Sequence, residues 1–172
     1  MQPGAPPGPT EGPGPLPEKR RAVIVGCNAS QKGSAEQSLQ WAVNDAQEIY
    51  DELTDSYTGS FDPVDVQLFN AATDSSKDII QALRAYSLDS REGDLLLVYF
   101  AGHGATSKWL PSTDALLVTA DLDVDAVRLD PTAGLRISSL RNDVLELTAA
   151  TTVLILDCCH AGSFTVSPIE KT

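Results

Sequence analysis

The sequence predicts an α/β fold, with a mostly parallel sheet and helices on both faces. Three observations carry this. Apolar runs of strand length recur at Ala22–Gly26, Asp94–Phe100 and Thr152–Leu156, the pattern of strands buried on both faces. Segments with apolar residues at helical spacing lie between them. The resulting order, β-α-β-α-β-loop-α-β, has the alternation that builds parallel sheets with crossover helices.

In chain order, residues 1–19 are rich in proline and glycine, with Pro6-Pro7-Gly8-Pro9 and Gly12-Pro13-Gly14-Pro15. Such a stretch buries too little to fold and reads as a disordered tail. The domain is expected over residues 20–172. Ala22–Gly26 is its first strand, followed by Cys27-Asn28 and a polar loop. Ser34 and Gln37 fit a capping box. Leu39, Ala42, Ala46, Ile49 and Leu53 then recur at helical spacing, so a helix is expected over Ala35–Leu53. Val64–Phe69 alternates as a strand does. Asp74–Asp78 caps a helix carrying Ile79, Ile80, Leu83 and Tyr86. Asp94–Phe100 runs into Ala101-Gly102-His103-Gly104. Ala105–Gly134 reads as a long irregular loop with one apolar patch, Ala115–Val118. A helix over Ser139–Leu147, with Leu140, Val144 and Leu147 on one face, leads to Thr152–Leu156. That last strand ends in Asp157-Cys158-Cys159-His160 and a small-residue turn, Ala161-Gly162-Ser163.

Open α/β sheets place their chemistry at the carboxyl ends of the strands. Two such ends carry reactive groups here. The glycines flanking His103 allow unusual backbone angles and close approach of a substrate. Residues two apart on a strand share a face, so Asp157 and Cys159 point one way and Cys158 the other. If the two strands are parallel neighbours, His103 meets the Cys159 region on one rim. An imidazole beside a thiol is the minimum equipment of a cysteine nucleophile.

The formal charge of −12 argues against binding nucleic acid or an anionic membrane. Three cysteines, two of them adjacent, make neither a disulfide framework nor a zinc set with two histidines. The amino terminus lacks the apolar core of a signal peptide, and no apolar run reaches transmembrane length. A reduced, cytoplasmic setting is the expectation. The strand-loop-helix opening carries no Gly-x-Gly-x-x-Gly or Walker lysine, so no nucleotide is implied.

Tyr99-Phe100-Ala101-Gly102-His103-Gly104 and Asp157-Cys158-Cys159-His160-Ala161-Gly162 resemble the paired motifs of caspase-like cysteine peptidases, most closely the metacaspase/orthocaspase branch. The His-to-Cys spacing is 159 − 103 = 56, against about 50 in caspases. The resemblance covers roughly Arg21–Phe164 and implies a caspase-like sandwich in its large-subunit part. The two further strands of the family's small subunit are not present in the sequence. By resemblance, Cys159 is the nucleophile and His103 its partner; His160, whose side chain as the next residue points away from that of Cys159, is expected to take a structural role. The amides of Cys159 and Gly104 form the oxyanion hole. Metacaspases line a pocket for Arg or Lys with residues that here read Ala42, Asp45, Ala101 and Asp157. The implied function is a cysteine endopeptidase that cuts protein and peptide substrates after a basic residue, with a small-subunit region or partner chain completing it.

No cofactor or metal is implied. The acidic residues through which metacaspases often take calcium are replaced here by Ser138, Ser139 and Val166. Asp121, Asp123 and Asp125 lack the spacing of an EF-hand loop. Two other readings stand beside the peptidase: a non-catalytic caspase-like signalling module, inactive without the small-subunit region, and a redox or metal protein using Cys158-Cys159-His160.

Overall fold

A computed structural model of the chain describes residues 17–28, 38–70, 74–105, 114–122 and 134–158. Its centre is a four-stranded, wholly parallel sheet in the order β2-β1-β3-β7. The strands are β1 (Arg20–Cys27), β2 (Val66–Asn70), β3 (Leu95–Gly102) and β7 (Thr151–Asp157). β1 and β3 are the middle strands and are almost wholly buried. Their runs of β-branched and apolar residues suit a strand covered on both faces.

Helix α1 (Ala42–Thr54) covers one face. Ala42 and Ala46 pack there against Ala22, Ile24, Val66, Tyr99 and Ala101. These small side chains let the helix sit close. A Cβ added at Gly26 would come within 2.8 Å of Ala42 O, Ala46 Cβ and Val43 Cα, so only glycine fits under this crossing. The helix begins at Ala42 rather than Ala35. Leu39 precedes it as extended chain, donating its N–H to Asn28 O at 2.7 Å, and the Ser34–Gln37 capping box lies outside the described residues. The cap comes from elsewhere: Asn28 Oδ1 accepts the orphan N–H of Val43 at 3.1 Å.

Helix α2 (Ser76–Leu88) covers the other face. Within the stretch Asp74–Asp78 expected to cap this helix, Ser75 and Asp78 form a capping box, with Ser75 accepting from the Asp78 N–H and Asp78 accepting from the Ser75 N–H. Ile79, Ala82 and Leu83 pack on Val23, Val25, Leu96, Val98 and Phe100.

The segment read as an irregular loop contributes to a second, antiparallel sheet that its flanks complete. Its strands are β4 (Gly104–Ala105), β5 (Leu116–Leu117) and β6 (Leu135–Arg136). Ala115, Leu117 and Leu135 join the α2-side core. Two-residue strands fall below the length at which alternation is legible, which is why the sequence shows only an apolar patch. Gly134 turns into β6 at φ +78°, where an added Cβ would also strike Leu122.

The helix expected over Ser139–Leu147 is a single α turn, α3 (Ile137–Leu140), continuing into a π turn at Arg141–Leu145. The i→i+5 bond from Glu146 N to Arg141 O marks the widening. Leu140 and Val144 still reach the core, but the wider turn carries Leu147 off that face into solvent. β7 departs from expectation too. It is buried on one face only, since Val153 and Ile155 are 41% and 45% exposed while Leu154 and Leu156 pack inward. α1 packs chiefly over β1, β3 and β2.

The amino end of the sheet is tied by charge. Arg21 is buried under the Tyr86 ring, 5.7 Å from its centroid. It pairs with buried Asp94 at 3.3 Å and with Asp89 at the end of α2. Asp94 also accepts the N–H groups of Lys19 and Arg91.

Candidate active site

The carboxyl rim of the parallel sheet brings the two motif strands side by side. β3 and β7 pair in parallel through Ala101↔Asp157, two residues short of His103 on one strand and of Cys159 on the other. Cys159 and His160 themselves lie outside the described residues. His103 is half-buried at the end of β3, and its carbonyl accepts the Val118 N–H at 2.9 Å. That bond makes His103–Val118 a hydrogen-bonded pair of the small sheet. Gly104↔Leu117 is then a non-hydrogen-bonded pair, so the Gly104 N–H points away from β5.

Neither glycine beside His103 has an unusual backbone angle. Among the described residues, positive φ falls on Gly93 and Gly134. Gly102 is required for space instead: an added Cβ would lie 3.0 Å from Cys27 O and from the Phe100 ring.

Cys158 faces the α2-side core, packed with Leu154 and Leu156. Asp157 takes the opposite face, exposed, in register with Ala101 and on the pleat face of Tyr99. Asp45 is half-buried in the first turn of α1, whose Ala42 and Ala46 touch that same face. The two carboxylates therefore approach one place from different elements. Burial, then the charge of Asp157, then that of Asp45, all push the Tyr99 phenol above the ordinary tyrosine value. Ala42 and Ala101 are buried, at 5% and 1% exposure, as apolar packing beneath the carboxylates.

Other carboxylates near the rim are already engaged. Buried Asp114 accepts the N–H and hydroxyl of Ser138 at 3.1 and 2.8 Å and pairs with Arg136 at 3.3 Å. It thus closes the first turn of α3. Asp121 accepts the N–H and hydroxyl of Ser76, each at 2.9 Å, and the hydroxyl of Thr119 at 2.8 Å. Burial raises its carboxyl, but these bonds outweigh it and hold the pKa below the usual value. Asp123 and Asp125 lie outside the described residues. Among those described, no group of three or more His, Cys, Asp or Glu side chains could hold a metal ion, and no helix is long and apolar enough to cross a membrane.

Asn28, Tyr99 and Asp114 have places at this rim that sequence reasoning did not assign. Asn28 has one discoverable signal, a polar amide just past a buried strand. The roles of Tyr99 and Asp114 depend on pairings remote in sequence.

The parallel sheet and its helices define an α/β domain whose β3 and β7 ends are neighbours on one rim. Residues 19–172 match the model of the caspase domain, and the chain belongs to that family. It is 26% identical over 155 residues to Metacaspase-1 of Saccharomyces cerevisiae, covering 84% of this chain and 34% of the yeast protein. Metacaspase-1 of Debaryomyces hansenii is 26% identical over 162 residues, with 84% and 33% covered. The chain thus spans about a third of the length of the curated relatives it matches. In fold it resembles the crystal structure of protein GSU0716 from Geobacter sulfurreducens, with a TM-score of 0.62 at 18% identity, over 83% of this chain and 51% of that one.

Proposed function

We propose that the chain carries the large-subunit part of a cysteine endopeptidase that cuts protein substrates after Arg or Lys. The observation that carries the reading is the parallel pairing of β3 with β7, which brings the His103 strand end beside the strand leading to Cys159. In this reading His103 takes the Cys159 thiol proton and the thiolate attacks the scissile carbonyl. The oxyanion is held by the amides of Cys159 and Gly104; the outward-pointing N–H of Gly104 supports that role. The carbon–nitrogen bond then breaks as His103 returns its proton to the leaving amine. Water attacks the thioester, releasing the acid and restoring the thiol.

Specificity for a basic residue rests on Asp45 and Asp157, whose charges both reach Tyr99. A guanidinium between two carboxylates gains charge-assisted hydrogen bonds, and a carboxylate there would meet like charge. No metal has a part in this scheme. A reduced, cytoplasmic setting goes with this chemistry, which needs a thiol.

The test uses the full-length protein. A peptidyl chloromethyl ketone with Arg at its reactive end should label Cys159, and Cys159→Ala should abolish cleavage while Cys158→Ala does not. On a peptide library varied at the residue before the cut, Arg and Lys should exceed neutral residues at least about tenfold, a difference of ~1.4 kcal/mol. Activity should survive a calcium chelator. A label on Cys158 alone would overturn the nucleophile. No labelling and no cleavage would favour the non-catalytic signalling module.

A further inference from the structure

Tyr99 is a polar side chain in an apolar place. It is 7% exposed and packs with Ala22, Ile24, Ala42, Ala46 and Ala101 beneath α1. A buried tyrosine usually gives its hydroxyl a partner, yet the Tyr99 hydroxyl makes no hydrogen bond among the described residues. Nor is it one of the polar atoms sealed from solvent there without a hydrogen bond, which are Arg136 Nε, ion-paired with Asp114, and Thr152 Oγ1. Its oxygen therefore keeps access to the space outside the core. Which space follows from the fold. On β3, Tyr99 lies one pleat step before Ala101, whose register partner is Asp157. Above that face stands the first turn of α1 with Asp45. Both charges act on the Tyr99 phenol and, with burial, keep it in its neutral form.

We propose that the Tyr99 hydroxyl is a third wall of the slot between Asp45 and Asp157, and that it sets a preference for Arg over Lys. This rests on the reading of that slot as the basic-residue pocket. A guanidinium carries five N–H donors in a planar fork, more directions than two carboxylates from separate elements readily meet. A neutral phenol oxygen accepts one more N–H without adding charge. An ammonium has three rotatable donors and is served by the carboxylates alone. Tyr99 touches the substrate side chain and not the reacting atoms, so it governs specificity.

The experiment compares wild type, Tyr99→Phe and Asp45→Ala in the full-length protein, on three peptides differing only in Arg, Lys or Ala before the cut. Tyr99→Phe should lower kcat/KM for the Arg peptide about tenfold, mostly through KM, and leave the Lys and Ala peptides within about twofold. Asp45→Ala should lower both basic peptides together. An equal fall on all three peptides in Tyr99→Phe would mean that the phenol only packs, and an unchanged Arg-to-Lys ratio would remove the role; either overturns the inference while leaving the basic pocket standing. If Asp45→Ala leaves the basic preference intact, the pocket reading itself falls and takes this inference with it. Agmatine and n-butylamine give a measurement that needs no variant. Agmatine should perturb tyrosine near-UV absorbance at roughly tenfold lower concentration than n-butylamine, and equal potency would overturn the proposal.

Discussion

At the scale of single residues, the rim depends on side chains that close helix ends from a distance. Asn28 serves α1, Asp114 serves α3 and Asp121 serves α2. Asn28→Ala leaves the Val43 N–H without this partner and should lower stability by about 1 kcal/mol, the usual loss for a cap, read from a denaturant midpoint. Asp121 adds a pH dependence. Its carboxyl is depressed in the folded chain relative to about 3.9 in the unfolded one. Its contribution is therefore fully present above the unfolded value and is lost as pH falls through the folded one. The gap in melting temperature between wild type and Asp121→Asn should shrink steadily as pH is lowered from about 5 toward 2. A gap that widens on acidification would mean that Asp121 stabilises only when protonated.

At the scale of elements, legibility followed pattern length. The start of α2 could be read closely, because the capping stretch Asp74–Asp78 and the Ile79/Leu83 stripe mark one helix, though nothing in them fixes its end at Leu88. Ser75→Ala should cost about 1 kcal/mol there, measured in the same way. α1 could not be placed so well. Leu39 continues the helical spacing without being helical, and the cap of α1 comes from Asn28 at the end of β1. β7 misleads for a different reason. Val153 and Ile155 are as apolar as any core pair, but composition cannot say whether a helix reaches over them. The small sheet is invisible because its strands are held by long-range partners, with Ala115 and Leu117 reaching the α2-side core. In the site, the meeting of the β3 and β7 ends was legible from the alternation of strands and helices. The facing of Asp45 toward Tyr99 was not, because it depends on how α1 is seated.

At the scale of the whole molecule, the two ends of the sheet do different work. The carboxyl end carries the chemistry-bearing residues, while the amino end is closed by Arg21, Asp94 and Asp89. Removing one member of a buried ion pair strands the other charge. Arg21→Ala should thus destabilise the fold by about 3 kcal/mol, seen as a large fall in the denaturant midpoint. The reactivity of the rim toward a small alkylator should stay unchanged under native conditions, since Arg21 lies at the opposite end of β1. A selective loss of that reactivity, with stability intact, would show that the two ends communicate.

The seat of α1 on Gly26 has a consequence in time as well as in space. A helix whose backbone rests directly on a strand has no side chain to act as a bearing, so it cannot rock or slide without opening a void. Val43 to Ala46 should then open to solvent only when the parallel sheet itself opens. Hydrogen exchange of these amides should be among the slowest in the chain, and it should speed up with denaturant as steeply as the amides of β1 do. Asp45 would be carried on a rigid mount despite its place in a first helical turn, where fraying is ordinary. Gly26→Ala, with its Cβ driven to 2.7 Å from Ala42 O, should free that turn, with Val43–Ala46 exchanging well ahead of β1.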